Sequence, residues 1–162
     1  MRAAVLTIST SLAAGEGEDR SGPRLAELLQ GAGCEVAPVE VLPDDREAIA
    51  ARLRRLVAQD VRFVFTTGGT GLTTDDVTPE ATREVIEREA PAFQQAMLIE
   101  GLRHQPMALL TRGVSGIAGR TLIVNMPGSP KAIEQLVPVL APALRHAADS
   151  LTRGGGRTAG EH

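Results

Sequence analysis

The sequence predicts a three-layer α/β/α sandwich around a mostly parallel, mixed sheet of five strands. Short apolar runs alternate along the chain with amphipathic helical patterns, as in βα units whose strands lie side by side. The composition agrees. Apolar residues make up 43% of the chain and only three residues are aromatic, all Phe. The core is therefore built from Leu, Val, Ile and Ala, which suits a buried parallel sheet. A length of 162 residues fits one domain with a sizeable core. We place that domain at residues 1–152 and read 153–162, with Gly154-Gly155-Gly156, as a flexible C-terminal tail.

Residues Arg2 to Ser9 form the first predicted strand. Gly22 to Gln30 is a helix with Leu25, Leu28 and Leu29 on one face, Ser21 as its cap and Gly31 as its stop. Cys34 to Leu42 is a second strand, and Pro38 marks it as an edge or a bulge. Asp44 to Gln59 is a helix that buries Ile49, Leu53, Leu56 and Val57. Within the apolar run Val61 to Phe65, Arg62 to Phe65 is a third strand covered on both faces. Pro79 to Glu89 and Ala92 to Arg103 are helices separated at Pro91, the first with Thr78 as N-cap. Met107 to Leu110 and Thr121 to Val124 complete the strands. Pro130 to Leu151 is helical, with a kink or restart expected at Pro138 and Pro142.

Between the Val61 strand and the Pro79 helix lies Thr66-Thr67-Gly68-Gly69-Thr70-Gly71, followed by Asp75-Asp76-Val77-Thr78-Pro79-Glu80. Glycines at such a junction let backbone N–H groups approach an anion unobstructed. No Gly-Lys-Ser/Thr follows, so this is not the usual nucleoside-triphosphate loop. Carboxylates follow instead, and those are ligands for a hard divalent cation. Two further elements end strands where α/β sheets bind ligands: Pro43-Asp44 and Asn125-Met126-Pro127-Gly128. Gly128, Ser129 and Lys131, the only lysine, then open a helix whose N-terminus favours anions.

The formal charge is −3, without the basic footprint of a nucleic-acid binder. The single cysteine, Cys34, makes no internal disulfide and reads as a small buried hydrophobe. With no leader-like opening and no long apolar stretch, the expectation is a cytoplasmic protein that engages no membrane. The three histidines have no metal-ligand spacing.

Three blocks in order, TTGGTG with DDVTPEAT, EVIEREAP (Glu84 to Pro91) and GRTLIVNMPGSPKA (Gly119 to Ala132), with DRSGP (Asp19 to Pro23) ahead of them, resemble the molybdenum-cofactor biosynthesis family of molybdopterin adenylyltransferases, which includes the first domain of gephyrin. The resemblance implies transfer of AMP from ATP to the phosphate of molybdopterin, with Mg²⁺, by a homotrimer. It also points to the molybdenum-insertion enzyme of the same pathway as a working partner. It assigns catalysis and metal binding to Asp76 and Asp44, with Asp45 as a competing carboxylate. Substrate binding falls to Thr67, Gly68, Gly69, Thr70, Gly71, Thr111, Asn125, Pro127, Gly128, Ser129 and Lys131, with Asp19 and Ser21 as a second lip. As plain sequence, Asp76 and Asn125 are turn residues, Asp44 is a helix cap and Thr111 a strand end. If 107–111 and 121–125 formed a hairpin, Thr111 and Asn125 would lie at opposite ends of it, unless the link from Gly113 to Gly119 reroutes the chain. The chain departs from the resemblance at Thr10, Asp75 and Ala118, and the latter two remove positive charge expected near polyphosphate. Two alternatives stand beside this reading: a pterin-binding protein without turnover, and a nucleotide pyrophosphatase of the type of the competence-damage-inducible proteins.

Overall fold

In a computed structural model, which describes residues 1–153, β1 (Arg2–Ile8) is the spine of the sheet. Its side chains alternate between two cores, as a strand's period of two requires. Ala3 and Val5 face one helical layer, and Ala4, Leu6 and Ile8 face the other. The first layer holds α2 (Ser21–Gly31), α5 (Ala92–His104) and α6 (Pro130–Arg153); the second holds α3 (Arg46–Ala58) and α4 (Thr78–Val85). The predicted sandwich is present.

The sheet has seven strands among the described residues rather than five. β2 (Glu35–Val36) and β3 (Glu40–Leu42) both pair in parallel with β1, whose other edge pairs with β4 (Phe63–Thr67). β7 (Thr121–Met126) follows in parallel, and then β6 (Ser115–Ala118) and β5 (Arg88–Glu89) run antiparallel to their neighbours. The single strand expected over Cys34 to Leu42 is thus two short ones, interrupted around Pro38, which has no N–H for the ladder.

Other boundaries differ for local reasons. Ser9 is not strand but the N-cap of a short helix, α1 (Thr10–Ala13), which the sequence reading did not include. Asp45, not Asp44, caps α3, accepting the Ala48 N–H. Ser21 lies inside α2 rather than capping it; the carboxylate of Asp19 takes the Gly22 N–H instead. Thr78 is the first residue of α4 and its hydroxyl donates to the Gly68 carbonyl, so it is not an N-cap. That helix stops at Val85, and Arg88–Glu89 turn into the edge strand.

Met107 to Leu110 is not a strand. It is a 3₁₀ segment, Pro106–Leu110, packed where Gly101 of α5 admits Ala108. The strand partner of β7 is Ser115–Ala118. Gly116 is needed there, because a Cβ would come within 2.6 Å of Ile86. Finally, α6 continues through Pro138 and Pro142 without a restart. The two prolines are four residues apart on its exposed face, where water can satisfy the carbonyls that lose their partners. The predicted tail falls outside the described residues, except that Arg153 is the last residue of α6. Cys34 is buried, and burial pushes its thiol pKa up, as befits a packing residue.

Candidate functional site

The register brings four strand ends to one level. Thr7 of β1 pairs with Thr67 of β4, Ile8 with Leu42 of β3, and Thr67 with Met126 of β7. From β1 the chain crosses first to β2 and β3 on one side and then to β4 on the other, so the order reverses between β1 and β4. The crevice beyond that reversal is where open α/β sheets hold ligands.

The glycine loop occupies this crevice. Gly68 and Gly69 have φ of 96° and 69°, in the left-handed region. Neither tolerates a side chain: a Cβ on Gly68 would sit 2.5 Å from the Ile8 carbonyl oxygen, and one on Gly69 would sit 2.3 Å from the Thr78 hydroxyl. The exit of β7 packs against the same loop. Thr67 Oγ1 donates to the Pro127 carbonyl at 2.8 Å, and Gly128 lies directly over Gly68. Among the described residues no hydrogen bond uses the N–H groups of Gly69, Thr70 and Gly71, so the loop presents three donors.

Asp44 and Asp76 flank these glycines. Asp44 Oδ2 accepts both the N–H and the hydroxyl of Thr10 at 3.0 Å, and Oδ1 lies 3.2 Å from where a Gly69 Cβ would be. Asp76 Oδ2 accepts the N–H and hydroxyl of Thr73, while both its oxygens border Gly71. Among the described residues no hydrogen bond reaches Oδ1 of either carboxylate. The departure at Thr10 therefore has a role: it fastens Asp44. Asp45 points away, into the cap of α3. Asp75 is exposed beside Asp76.

Next to the loop opens a cavity of about 230 Å³, lined by Thr70, Thr111, Pro127, Gly128 and Ser129 of the predicted set. Gln94, Gln105 and Gln135 add amides to it and Met97, Leu98 and Leu136 add apolar walls. Lys131 and His104 line a groove that adjoins it through Ser129 and Gln135. Thr111 reaches the cavity because the chain between the 3₁₀ segment and β6 turns back toward the end of β7, with the Asn125 N–H donating to the Val114 carbonyl.

Three predicted residues lie elsewhere. Asn125 is 1% exposed and does not face the cavity. Its Oδ1 accepts the Val114 N–H, and its Nδ2 donates to the hydroxyls of Thr66 and Thr82. It braces the sheet behind the site, because its polar ends are used inside the protein. Asp19 accepts from Thr7 Oγ1 and Gly22 N, and Ser21 is buried beside it. Both support the end of β1 rather than forming a lip. The third departure, Ala118, pairs with Thr121 at the opposite end of β7, so a charge missing there is not missing from the crevice.

Two residues at the site were not anticipated. Arg112 donates from Nε to the Gly71 carbonyl, from Nη2 to the Asp76 carbonyl, both at 2.8 Å, and from Nη1 to the Glu80 carboxylate. That guanidinium holds the Glu80 carboxyl below the usual carboxylate range, and Glu80 in turn raises the pKa of Arg112. The clue in the sequence was the Thr-Arg-Gly ahead of β6. Gln94 donates to Ser115 Oγ and to the Asn125 carbonyl; a glutamine inside an otherwise ordinary helix gives no signal.

Chemically, the arrangement offers an anion seat, two carboxylates and a polar-rimmed cavity with apolar walls. Among the described residues no group of three His, Cys, Asp or Glu gathers as a metal cluster. Two carboxylates with free oxygens still fit a hard divalent cation that takes its remaining ligands from phosphate and water.

The family model described as probable molybdopterin binding domain matches residues 4–146. The molybdenum cofactor synthesis protein cinnamon of Drosophila melanogaster is 38% identical over 145 residues, covering 88% of this chain and 24% of that protein. A molybdopterin adenylyltransferase of Helicobacter pylori is 34% identical over 150 residues, 90% of this chain and 84% of that one. The crystal structure of the molybdopterin biosynthesis enzyme MoaB from Thermus thermophilus superposes with a TM-score of 0.87 at 41% identity, covering 96% of this chain and 99% of that chain. The chain spans less than half the length of the first curated relatives it matches. No helix among the described residues is long and apolar enough to cross a membrane.

Proposed function

This chain belongs to the molybdopterin-binding domain family, and from that membership we propose that it is a molybdopterin adenylyltransferase of molybdenum cofactor biosynthesis. A phosphate oxygen of molybdopterin attacks the α-phosphorus of ATP, and the bond to the bridging oxygen breaks to release pyrophosphate. The supporting observation is the union of three free N–H groups at Gly69, Thr70 and Gly71 with the free Oδ1 atoms of Asp44 and Asp76, beside the cavity that Thr70 and Thr111 line.

In this reading the glycine loop orients the ATP phosphates, and the helix-α6 entrance with Ser129 and Lys131 receives the pterin's phosphate. The cavity takes the pterin ring. The amides of Gln105 and Gln135, with Oε1 of Gln94, suit the ring's mixed donor and acceptor edge. Asp44 and Asp76 would hold Mg²⁺, which supplies charge neutralisation at the phosphates when bound. No covalent nucleophile of the protein is required, so rate comes from positioning and electrostatics.

The protein works in the cytoplasm as a homotrimer. Exposed apolar residues on α5 and the 3₁₀ segment, Ile99, Leu102, Met107, Leu109 and Leu110, support assembly. A bifunctional relative of molybdenum cofactor biosynthesis, of which this chain covers 47%, supports a partnership with another enzyme of the same pathway, which we take to be the molybdenum-insertion enzyme.

Incubation with ATP, molybdopterin and Mg²⁺ tests this directly. Adenylyl-molybdopterin and pyrophosphate are the expected products. Asp76→Asn should lower the rate at least ~100-fold, about 2.7 kcal/mol of transition-state stabilisation, with pterin binding nearly unchanged. Hydrolysis of ATP alone would favour a pyrophosphatase, and binding of the pterin without product a non-catalytic binding protein.

A further inference from the structure

We propose that Arg112 is the positioning residue of this site: its guanidinium sets the glycine loop so that Asp76 and the free loop N–H groups keep their places for a magnesium nucleotide. The inference rests on the adenylyltransferase reading for its ligand, but its physical basis is independent of turnover. Residues Leu72 to Asp75 are exposed. Asp76 is bonded through its side chain and its N–H only to Thr73, so the segment closes on itself. Among the described residues, Arg112 is the only residue outside the segment 71–76 whose hydrogen bonds reach it. Nε and Nη2 take the carbonyls of Gly71 and Asp76, the two ends of the segment. Nη1 takes Glu80 on the first turn of α4, and the Arg112 backbone N–H donates to the Thr70 carbonyl at 2.8 Å.

One side chain thus fixes both ends of the loop and the helix behind it. The three directions are those of a planar guanidinium fork, which a lysine cannot reproduce. Three guanidinium donors, one on each nitrogen, are bonded to the loop and to Glu80, so Arg112 acts through the loop. Thr111, one residue earlier, lines the cavity. The same short stretch therefore registers the cavity wall against the phosphate loop.

The test compares wild type with Arg112→Lys. Amide hydrogen exchange on the protein without substrates should be about tenfold faster at the two bonded amides of the segment, Thr73 and Asp76, in the variant and unchanged in β4 and β7, as for a local opening. In turnover, kcat should fall and the Mg²⁺ concentration for half-maximal rate should rise, while KM for molybdopterin stays the same. A purely structural role would lower the fraction of folded protein without moving the Mg²⁺ requirement. Exchange at Thr73 and Asp76 equal to wild type overturns the proposal. If wild type itself shows no turnover, the enzymatic reading fails and the exchange comparison alone decides the role of Arg112. If Arg112→Lys does not fold, Glu80→Gln replaces it. A smaller rise in loop exchange then supports the proposal, and no rise overturns it.

Discussion

Asp44 and Asp45 are chemically identical neighbours with different work. Asp45 takes the Ala48 N–H and starts α3, whereas Asp44 turns to Thr10 and the glycine loop. Asp45→Ala should cost about 1 kcal/mol of stability, the usual worth of a cap, and leave turnover per folded molecule intact. Asp44→Asn should do the opposite: its amide oxygen can still accept from Thr10, so stability holds, but turnover falls at least ~10-fold as a charge at the phosphates is lost. Urea melts and single-turnover rates on the two variants separate the roles, and equal effects would show the assignment to be wrong. Asn125 illustrates the same point. The sequence marked it as important at a strand end, and it is, but the amide faces inward and satisfies three buried groups. No local pattern distinguishes an amide that contacts a ligand from one that holds Thr66, Thr82 and Val114 together.

The Arg112–Glu80 pair, which ties the loop between β4 and α4 to the first turn of α4, carries a pH dependence. Arg112 holds the Glu80 carboxyl below its ordinary pKa. The group's contribution is therefore complete above the ordinary glutamate value, about 4.3, and is lost as pH falls through the lowered value. Wild type should outlast Glu80→Gln in denaturant at pH 7, and the gap should shrink as the pH is taken down through the lowered Glu80 value. The gap should be modest, since both partners are about one-third exposed (36% each). Midpoints measured across that range check it; a gap that widens in acid would mean the pair does not stabilise the fold. The elements that were misread share a cause. Pro106–Leu110 is apolar like a strand, yet its Met107, Leu109 and Leu110 are exposed. Ser115–Ala118 is a strand with little strand character, kept by pairing on both edges and by Gly116 fitting against Ile86. Strand preference largely reflects such neighbours.

At the scale of the whole molecule, the apolar residues left outside on α5 and the 3₁₀ segment bear on assembly, and Met107 and Leu110 also line the cavity. Sedimentation equilibrium should give about three times the 17.0 kDa chain mass, and Leu109→Glu should shift it toward the monomer by placing a charge in the contact. A wild-type monomer at micromolar concentration would remove the trimer. The sequence by itself determined the sandwich, the main helices and strands, and the glycine loop with its carboxylates. Each of these is written in short-range patterns: apolar periods, glycine and proline positions, and motifs a few residues long. Tertiary structure alone decided which aspartate faces the loop, that Asn125 faces inward, that Thr111 joins the cavity and that Ala118 stands apart from it. It also decided that Arg112 reaches back 41, 36 and 32 residues to Gly71, Asp76 and Glu80. Those outcomes depend on register and strand order, which bring distant residues together and leave no local period to read.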